Sequence, residues 1–336
     1  MKPTIYDVAK EAGVSIATVS MVINNTGRIS TKTRKKVLKV MDELKYYPSA
    51  AASTLTGKST RTLGLLMPNI ANPFYSELAR SMEDRADELG YSVIVCSTDY
   101  KEEREQKYIS LFLRKQVDGF IITSGFNSVD LIKELVDQQI PIILVAYNIS
   151  KFSLDTVSVD DYTGGYQATA YLAELGHQRI AVITETVQSS VERVRGYRNA
   201  LQDYQLAYDD ELCLETSATV ANGAKVTEEF LDLKEPPTAI FAFNDILAIG
   251  AMEAVRKRGL SIPEDISIIG FDDTPLASYS NPPLTTMAQP LEDIGYQAID
   301  LIVAEIEGAK RTSQRIMLPA KLVVRKSTGG PLKKTR

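Results

Sequence analysis

The 336-residue chain has one histidine, two cysteines and no apolar run long enough to span a membrane. One histidine and the distant Cys96 and Cys213 cannot supply the four ligands of a structural zinc site. Each cysteine falls in or beside an apolar run, which predicts a reduced, structural thiol. The first residues, MKPTIYDVAKEAG, lack the apolar core of a signal peptide. We therefore expect a cytoplasmic protein with no membrane partner, no cofactor and no metal.

Sequence motifs of common enzymes are also missing. The first strand-like run after residue 60, LGLLMP, is followed by NIANP and not by a glycine-rich phosphate-binding loop. The chain has no P-loop, no G-x-S-x-G elbow and no Cys–His pairing. His177, in LGHQR, follows the end of a predicted helix, where we expect it to pack in the turn near the helix dipole. These absences argue against an enzyme.

Charge is divided unevenly along the chain. Residues 1–60 carry ten Lys or Arg against four acids, a net charge of +6. The whole chain is −5, so residues 61–336 carry −11. A small basic segment joined to an acidic body is typical of a polyanion binder with a separate regulatory part.

The basic segment begins with IYDVAKEAGVSIATVSMVIN, which predicts two short helices joined by a tight turn. Thr4 and Asp7 form a capping box for the first helix, and Gly13 suits a turn that needs positive φ. Ser15 caps the second helix, whose buried stripe includes Val19. Its opposite face carries Ile16, Ala17, Ser20 and Met21. This pattern predicts a helix-turn-helix whose second helix can enter a DNA major groove, although an ordinary helical hairpin has the same pattern.

A third helix and a linker complete the segment. Ser30 caps a helix over 31–47 that ends before Pro48, and its exposed basic side chains either contact phosphate or are solvated. The next stretch, SAAASTLTG, is too short for a stable isolated helix. It is a flexible linker or a helix that forms only against a partner, and Leu55 could act as a minor-groove wedge.

From Arg61 onwards, strand-like apolar runs alternate with amphipathic helical runs. This alternation predicts two α/β units with doubly wound parallel sheets and a cleft at the carboxyl ends of the strands. In the second half we expect helices over 194–204, 226–233 and 246–258. The predicted fold is an all-α helix-turn-helix head followed by an α/β body of two subdomains.

These motifs resemble the LacI/GalR family of bacterial transcription factors. The resemblance rests on TIYDVAKEAGVSIATVSMVINN, TLGLLMPNIANPFYSEL, RVRGYRNAL and PPTAIFAFNDILAIGAMEAVRKRGLSIPEDISIIGFDD. It implies a DNA-binding head over 1–47, a hinge over 48–60 and a periplasmic-binding-protein-like body over 61–336. The first subdomain would comprise about 61–160 and 290–322, and the second about 161–289 and the C-terminal segment. A homodimer would bind a near-palindromic operator under the control of a small-molecule effector such as a sugar or sugar phosphate.

The resemblance also implies residue roles in DNA binding. Residues that match positions contacting DNA or stabilising the head are Thr4, Tyr6, Ser15, Thr18, Ser20, Asn24, Arg28, Ser30, Thr33, Tyr46 and Ser49. Ile16, Ala17 and Met21 match base-reading positions, and Leu55 matches the residue that opens the central base step. Many relatives have arginine where this chain has Met21, and methionine cannot bind guanine bidentately. We therefore expect an altered half-site, with apolar contact to a thymine methyl.

The expected effector residues follow from the same matching: Phe74, Tyr147, Arg193, Phe243, Asn244 and Asp272. An Arg and an Asp facing one cleft suit a polyhydroxyl or anionic ligand, or else form a structural ion pair. Many sugar-responsive relatives have an aspartate where this chain has Ala146. The ligand is then held mostly by the second subdomain, or a free sugar is not the main effector.

The segments NPFYSELARSMEDRADELG and QPLEDIG resemble the catabolite control protein branch of the family. That resemblance implies a second possible partner, a seryl-phosphorylated carrier protein that would meet Arg80 and Arg85. Glu292 and Asp293 oppose this partner, since they would repel a phosphate. The tail STGGPLKKTR has no heptads, so we expect a dimer and not a tetramer joined by a coiled coil.

Overall fold

A computed structural model describes residues 3–23, 26–46, 59–309 and 312–331. The chain divides into two compact units, Met1–Thr60 and Arg61–Arg336, here called the head and the body. Among the described residues, no helix combines the length and apolar character needed to cross a membrane.

The described part of the head contains three helices: α1 Ile5–Ala12, α2 Ile16–Ile23 and α3 Thr31–Glu43. The predicted caps are present: Thr4 and Asp7 form a capping box, and the Ser15 hydroxyl accepts from the Thr18 N–H at 3.1 Å. Gly13 has φ 59°, as the turn requires. The apolar stripes meet in a small core of Val8, Ala9, Ala12, Val19, Val22, Val37 and Val40. Local capping signals and apolar periodicity therefore determine this unit.

Helix α3 ends earlier than predicted. Its last residue is Glu43, and the expected continuation to residue 47 was wrong because Lys45 turns the backbone to φ 50°. The Tyr46 N–H then bonds to the Met41 carbonyl at 2.8 Å, which closes the helix without a glycine. The predicted linker, with Ser49 and Leu55, lies outside the described residues, as does Asn24.

The body is built on two six-stranded sheets. The strands are β1 Thr62–Met67, β2 Ser92–Ser97, β3 Gly119–Thr123, β4 Ile142–Val145, β5 Asp155–Val159, β6 Ile180–Thr184, β7 Cys213–Glu215, β8 Ala239–Ala242, β9 Ser267–Asp272, β10 Thr285–Ala288, β11 Arg315–Leu318 and β12 Lys321–Val323. The first sheet has the order β11-β5-β4-β3-β1-β2, and the second β12-β10-β9-β8-β6-β7. All pairings are parallel except that of β12 with β10.

Helices cover both faces of each sheet, as predicted from the near-continuous apolar strands. The helices are α4 Pro73–Glu88, α5 Glu102–Lys115, α6 Val129–Asp137, α7 Asp161–Glu174, α8 Gln188–Asp203, α9 Val220–Leu231, α10 Asp245–Lys257, α11 Pro275–Tyr279 and α12 Leu291–Ile306, with a 3₁₀ turn at Asp210–Leu212. The chain crosses to the second sheet after β5, returns after β10, and crosses again between β11 and β12. Each sheet therefore forms one subdomain, which confirms the predicted fold class.

Two helices of the second subdomain begin six residues before their predicted starts. Helix α8 begins at Gln188 and not at Val194, and its N-cap Val187 makes no side-chain cap. Helix α9 begins at Val220 and not at Val226, where the Thr219 hydroxyl accepts from the Asn222 N–H. The first start carries no capping signal in the sequence, whereas the second start carries one that was overlooked.

His177 joins the C-terminal segment to the second sheet. Its side chain is buried, and its Nε2 lies 2.8 Å from the Gly329 carbonyl. Since a carbonyl can only accept, Nε2 carries the proton and Nδ1 accepts from the Thr238 hydroxyl at 2.9 Å. Burial lowers the pKa of His177 below its ordinary value. The side chain is therefore held neutral, in the structural role predicted for it.

We expect His177→Gln to lower the free energy of unfolding by about 1–3 kcal/mol at pH 7, because buried hydrogen-bond partners lose their geometry. The pKa of His177 is lower in the folded protein than in the unfolded chain. Such a histidine stabilises the fold at pH values above its unfolded pKa, and this stabilisation is lost as the pH falls. Urea unfolding of the full chain at pH 7 and pH 5 measures both effects. The gap between wild type and variant should narrow at pH 5, and a constant gap would contradict the assignment.

Candidate functional site

The outward face of α2 presents the residues predicted to read bases. Ile16 and Met21 are 41% and 40% exposed, although both are large and apolar, and Ala17 is also exposed. At the start of the helix the hydroxyls of Ser15 and Thr18 lie 2.9 Å apart. A short helix that keeps apolar side chains in solvent has a surface suited to a partner such as a major groove.

The other predicted DNA-contacting residues divide into exposed and capping side chains. Tyr6 is 68% exposed and Arg28 is exposed, whereas Tyr46 is half-buried against the head core. Hydroxyls of Thr4 and Ser30 cap helices. Exposed basic side chains of the described head are Lys10, Arg28, Lys32, Lys35, Lys36, Lys39 and Lys45. Thr33 and Ser20 are half-buried on their helices. The head therefore exposes basic side chains on α1, on α3 and in the segments beside α3.

The body has a cavity of about 40 Å³ where strand ends of the two sheets face each other. Its lining comes from segments that follow β1 to β6 and β8 to β10, as predicted for a cleft at carboxyl ends of parallel strands. The lining residues are Asn72, Phe74, Tyr75, Tyr100, Ser124, Ala146, Val159, Asp161, Glu185, Val187, Ser189, Arg193, Asn244, Asp272 and Gln289. The structure thus brings together one guanidinium, three carboxylates and several aromatic rings.

Arg193 is the best-anchored of these side chains. Its Nε donates to Asp161 Oδ1 at 2.8 Å, and its Nη1 donates to the carbonyl of Phe243. The guanidinium lies over the Phe271 ring, 3.6 Å from the centroid. A Cβ at Gly165 would collide with the Arg193 backbone, so glycine permits the close packing of α7 on α8 that brings Asp161 to Arg193.

Asp272 lies at the end of β9 in an unusual backbone conformation with φ 114°. Its carboxylate is buried and accepts from Gln289 Nε2 at 2.7 Å. Burial raises the pKa of Asp272 well above its ordinary value, and the positive charge of Arg193 opposes that shift. A strained, buried carboxylate that lines a cavity is typical of a ligand-binding position.

Asp245 holds the turn that carries Asp272. Its Oδ2 accepts from the Thr274 N–H at 2.7 Å and from the Thr274 hydroxyl at 2.9 Å, and its Oδ1 accepts from the Thr286 hydroxyl at 2.7 Å. Burial raises the pKa of Asp245 to about 6. Asp245 was not among the predicted site residues, although its position directly after Asn244 in FNDILAIG was an available signal.

Glu185 and Asp161 were also missed as site residues. Glu185 directly follows β6 and accepts from Asn244 Nδ2, whereas Asp161 begins α7 just after β5. Burial raises the pKa of both carboxyls, and Arg193 opposes the shift in each. Acidic residues at the carboxyl ends of predicted strands were the available signal, but nothing local shows that two strands of different sheets bring them to one arginine.

Four of the predicted effector residues line the cavity: Phe74, Arg193, Asn244 and Asp272. The other two are placed elsewhere. The Phe243 side chain is fully buried in the core, and only its carbonyl reaches Arg193. Tyr147 faces neighbouring surface pockets, because Ala146 turns at φ 51° and itself lines the cavity. Tyr147 lines an adjoining pocket that shares Ala146, Val159, Asp161 and Ser189 with the cavity, so its contact with an effector stays a prediction, as does that of Phe243.

The two arginines considered for a phosphoprotein contact are already paired within α4 and α12. Arg80 bonds to Glu83 and Asp84, and Arg85 bonds to Glu88 at 2.7 Å and to Asp300 at 2.7 Å. A phosphoserine would have to displace these carboxylates and would meet their negative charge. The geometry does not favour this surface as a phosphate site.

Comparisons with known proteins agree with this architecture. Residues 4–49 match the family of bacterial regulatory proteins called the lacI family, and residues 169–328 match a periplasmic binding protein-like domain. The transcriptional regulator DegA of Bacillus subtilis is 46% identical over 98% of this chain and 98% of its own. The lac repressor dimer bound to operator and an anti-inducer superposes with a TM-score of 0.85 at 31% identity, covering 98% of this chain and 100% of that chain.

A second solved structure shares the body. A LacI family regulator from Enterococcus faecium with bound ribose is 36% identical, with a TM-score of 0.74, and it covers 81% of this chain and 100% of that chain.

Proposed function

Because the chain belongs to the lacI family of bacterial regulatory proteins, we propose that it represses transcription by binding a near-palindromic operator as a homodimer. One observation carries this proposal: α2 keeps Ile16, Ala17 and Met21 in solvent within a head of net charge +6. Base-reading side chains supply specificity, while the surrounding lysines and arginines supply salt-dependent affinity for phosphates. The acidic body carries no comparable basic segment and is suited to regulation.

We propose further that a small polar effector in the body controls operator affinity. The cavity of about 40 Å³ is smaller than a typical ligand pocket, although a pocket of about 500 Å³ beside it shares Ala146, Val159, Asp161 and Ser189 with it. In this proposal the ligand binds to a form in which the two subdomains are further apart. An effector can shift this equilibrium only by its differential affinity for the two forms. Changed spacing between the paired bodies would then prevent the linkers over residues 48–60 from meeting on DNA.

A cleft ligand is favoured over a phosphorylated carrier protein for a geometric reason. Arg193 and Asp272 stand at the cavity, 5% and 6% exposed, whereas Arg80 and Arg85 are paired with acidic neighbours. The proposed dimer is supported by the similarity to the lac repressor, whose structure on its operator is that of a dimer.

A thermal-shift screen of the full chain against sugars, sugar phosphates, purines and amino acids tests effector control. A ligand that binds only the folded state raises the midpoint of unfolding by mass action. The active compound is then added to an operator-binding titration. A change in operator affinity supports the proposal, and its direction separates an inducer from a co-repressor. A ligand that binds in the cleft but leaves operator affinity unchanged would contradict effector control.

We expect Met21→Arg to change the operator that the head selects. Arginine can donate bidentately to guanine, a contact worth about 1–3 kcal/mol of base discrimination, whereas methionine offers an apolar contact to a thymine methyl. Selection from random double-stranded DNA by both proteins should therefore show a shift towards G·C at one position of each half-site. The matched control is Leu38→Arg, at a 49% exposed position on α3, which should leave the motif unchanged. The same motif for wild type and Met21→Arg would refute base reading at this position.

A further inference from the structure

The cavity holds more negative than positive groups. Its described lining includes the carboxylates of Asp161, Glu185 and Asp272 and a single guanidinium, that of Arg193. Asp161 is already paired with that guanidinium at 2.8 Å. Glu185 and Asp272 therefore share with Asp161 the charge of this one guanidinium. In a partly dry cleft such charges interact much more strongly than in water.

The hydrogen-bond donors around these two carboxylates are also in use. Asn244 Nδ2 donates to Glu185, and Gln289 Nε2 donates to Asp272 at 2.7 Å. Arg193 directs Nε to Asp161 and Nη1 to the carbonyl of Phe243. The carboxyl oxygens of Glu185 and Asp272 that these donors leave free are therefore acceptors that the cleft offers to a ligand.

Glu185 lies at the centre of this arrangement. The groups that act on its carboxyl or respond to its charge are Arg193, Asn244, Asp272, Tyr75 and Tyr100. Two of them, Tyr75 and Tyr100, belong to the first subdomain and the other three to the second. A carboxylate that faces both subdomains is well placed to meet a ligand held between them.

We propose that Glu185 is a specificity-determining residue of the cleft, a proposal that rests on the effector control proposed above. Together with Asp272 it accepts hydrogen bonds from ligand hydroxyl or ammonium groups. The ligand class is therefore a neutral polyol or a cationic amino sugar or amine. Phosphate esters and carboxylates are excluded, because their anionic groups would meet the carboxyls of Glu185 and Asp272 beside a single cation, Arg193, that is already paired with Asp161.

Pairs of related ligands with different charges test whether the cleft prefers neutral or cationic ligands over anionic ones. The full chain is titrated by calorimetry at fixed salt with D-ribose and ribose 5-phosphate, D-glucose and glucose 6-phosphate, and D-glucosamine. In the wild type each phosphate ester should bind at least about tenfold more weakly than its parent sugar. Glu185→Gln should weaken glucosamine more than glucose and should narrow the gap between sugar and ester. Because the basic head is identical in both proteins, phosphate bound there cancels in the comparison.

Three results would overturn the proposal. The first is an ester that binds the wild type as tightly as its parent sugar. The second is a Glu185→Gln protein with unchanged affinities. The third is a panel in which no neutral or cationic probe binds. Salt-dependent operator binding by the same preparations is measured alongside, so that a failed ligand rule can be distinguished from a failed regulator function.

A ligand-free measurement gives an independent test. A binding-site carboxylate that lies close to other carboxylates destabilises the ligand-free protein. Glu185→Gln should therefore raise the unfolding midpoint by roughly 2 °C at pH 7.5. Burial raises the pKa of the folded-state Glu185 carboxyl above its unfolded value. The higher midpoint of Glu185→Gln should therefore be seen above the unfolded pKa of glutamate and should disappear as the pH falls to 4.5. The control Glu264→Gln, at an exposed glutamate, should shift the midpoint by much less. A lower midpoint for Glu185→Gln would show that Glu185 is a structural partner of Asn244 and would overturn the proposal.

Discussion

Arg193→Ala should lower the free energy of unfolding of the full chain by about 3–5 kcal/mol, because it leaves a buried partner charge without compensation. The Arg193 side chain is 7% exposed, and that of its partner Asp161 is 13% exposed. The substitution also removes the donor to the Phe243 carbonyl and the cation above the Phe271 ring. We expect the same variant to lose effector binding, since the guanidinium lines the cavity.

The matched control for this prediction is Arg195→Ala on the same helix. Arg195 is 66% exposed and pairs with Glu192 at 3.1 Å, so its loss should cost no more than about 1 kcal/mol. Urea unfolding of both variants provides the comparison. The double variant Arg193→Ala, Asp161→Ala should recover part of the stability, because it removes the unpaired carboxylate. Equal costs for Arg193→Ala and Arg195→Ala would contradict a buried ion pair.

Acidic pH should reduce the cost of Arg193→Ala. Burial already raises the pKa of Asp161, and Arg193 holds that rise in check. Without Arg193 the pKa of Asp161 in the folded state moves further above its unfolded value. The loss of stability caused by Arg193→Ala is therefore largest above the unfolded pKa of aspartate and becomes smaller as Asp161 takes up a proton. The variant should therefore lose less stability relative to wild type at pH 5 than at pH 8.

Leu55→Ala should weaken specific operator binding at least about tenfold while it changes non-specific binding by no more than about threefold. An apolar wedge in the minor groove opens a base step only on a site that the heads have already recognised. Non-specific binding depends instead on phosphate contacts, which this change leaves in place. The prediction rests on the sequence alone, since Leu55 lies outside the described residues.

Leu38→Ala is the matched control for the wedge, because Leu38 is 49% exposed on α3 and belongs to neither the linker nor the face of α2. Fluorescence anisotropy with an operator duplex and a scrambled duplex measures both affinities at one salt concentration. Leu38→Ala should leave both nearly unchanged. An equal loss on both duplexes for Leu55→Ala would mean that Leu55 does not act through a specific base step.

Local sequence patterns predicted most of the secondary structure of the head and the general architecture of the body. Thr4, Asp7, Gly13 and Ser15 act within four residues of their partners, so their roles could be predicted from spacing. The two-sheet α/β architecture followed from apolar strands that alternate with amphipathic helices. Local prediction failed where the chain turned without a usual signal, as at Lys45, whose positive φ ends α3 early.

The cleft could be predicted only in part. Family-like motifs identified Arg193 and Asp272, but the ion pair with Asp161 depends on close packing of α7 on α8. Glu185 follows a strand of one sheet, and the rings of Tyr75 and Tyr100 come from segments beside the other. Such convergence depends on tertiary packing and not on spacing along the chain. For the same reason, spacing could not show that Ala146 lines the cavity itself while Tyr147, the next residue, lines the pocket beside it.

Selection of binding sites from a random double-stranded DNA library by the full chain tests the central proposal most directly. An operator-binding homodimer predicts one enriched, near-palindromic motif, whose half-sites are related by the two-fold symmetry of the protein. Affinity for that motif should fall steeply with salt yet remain well above affinity for scrambled DNA. A library that returns no enriched motif, or binding that is equal on all sequences, would contradict the account.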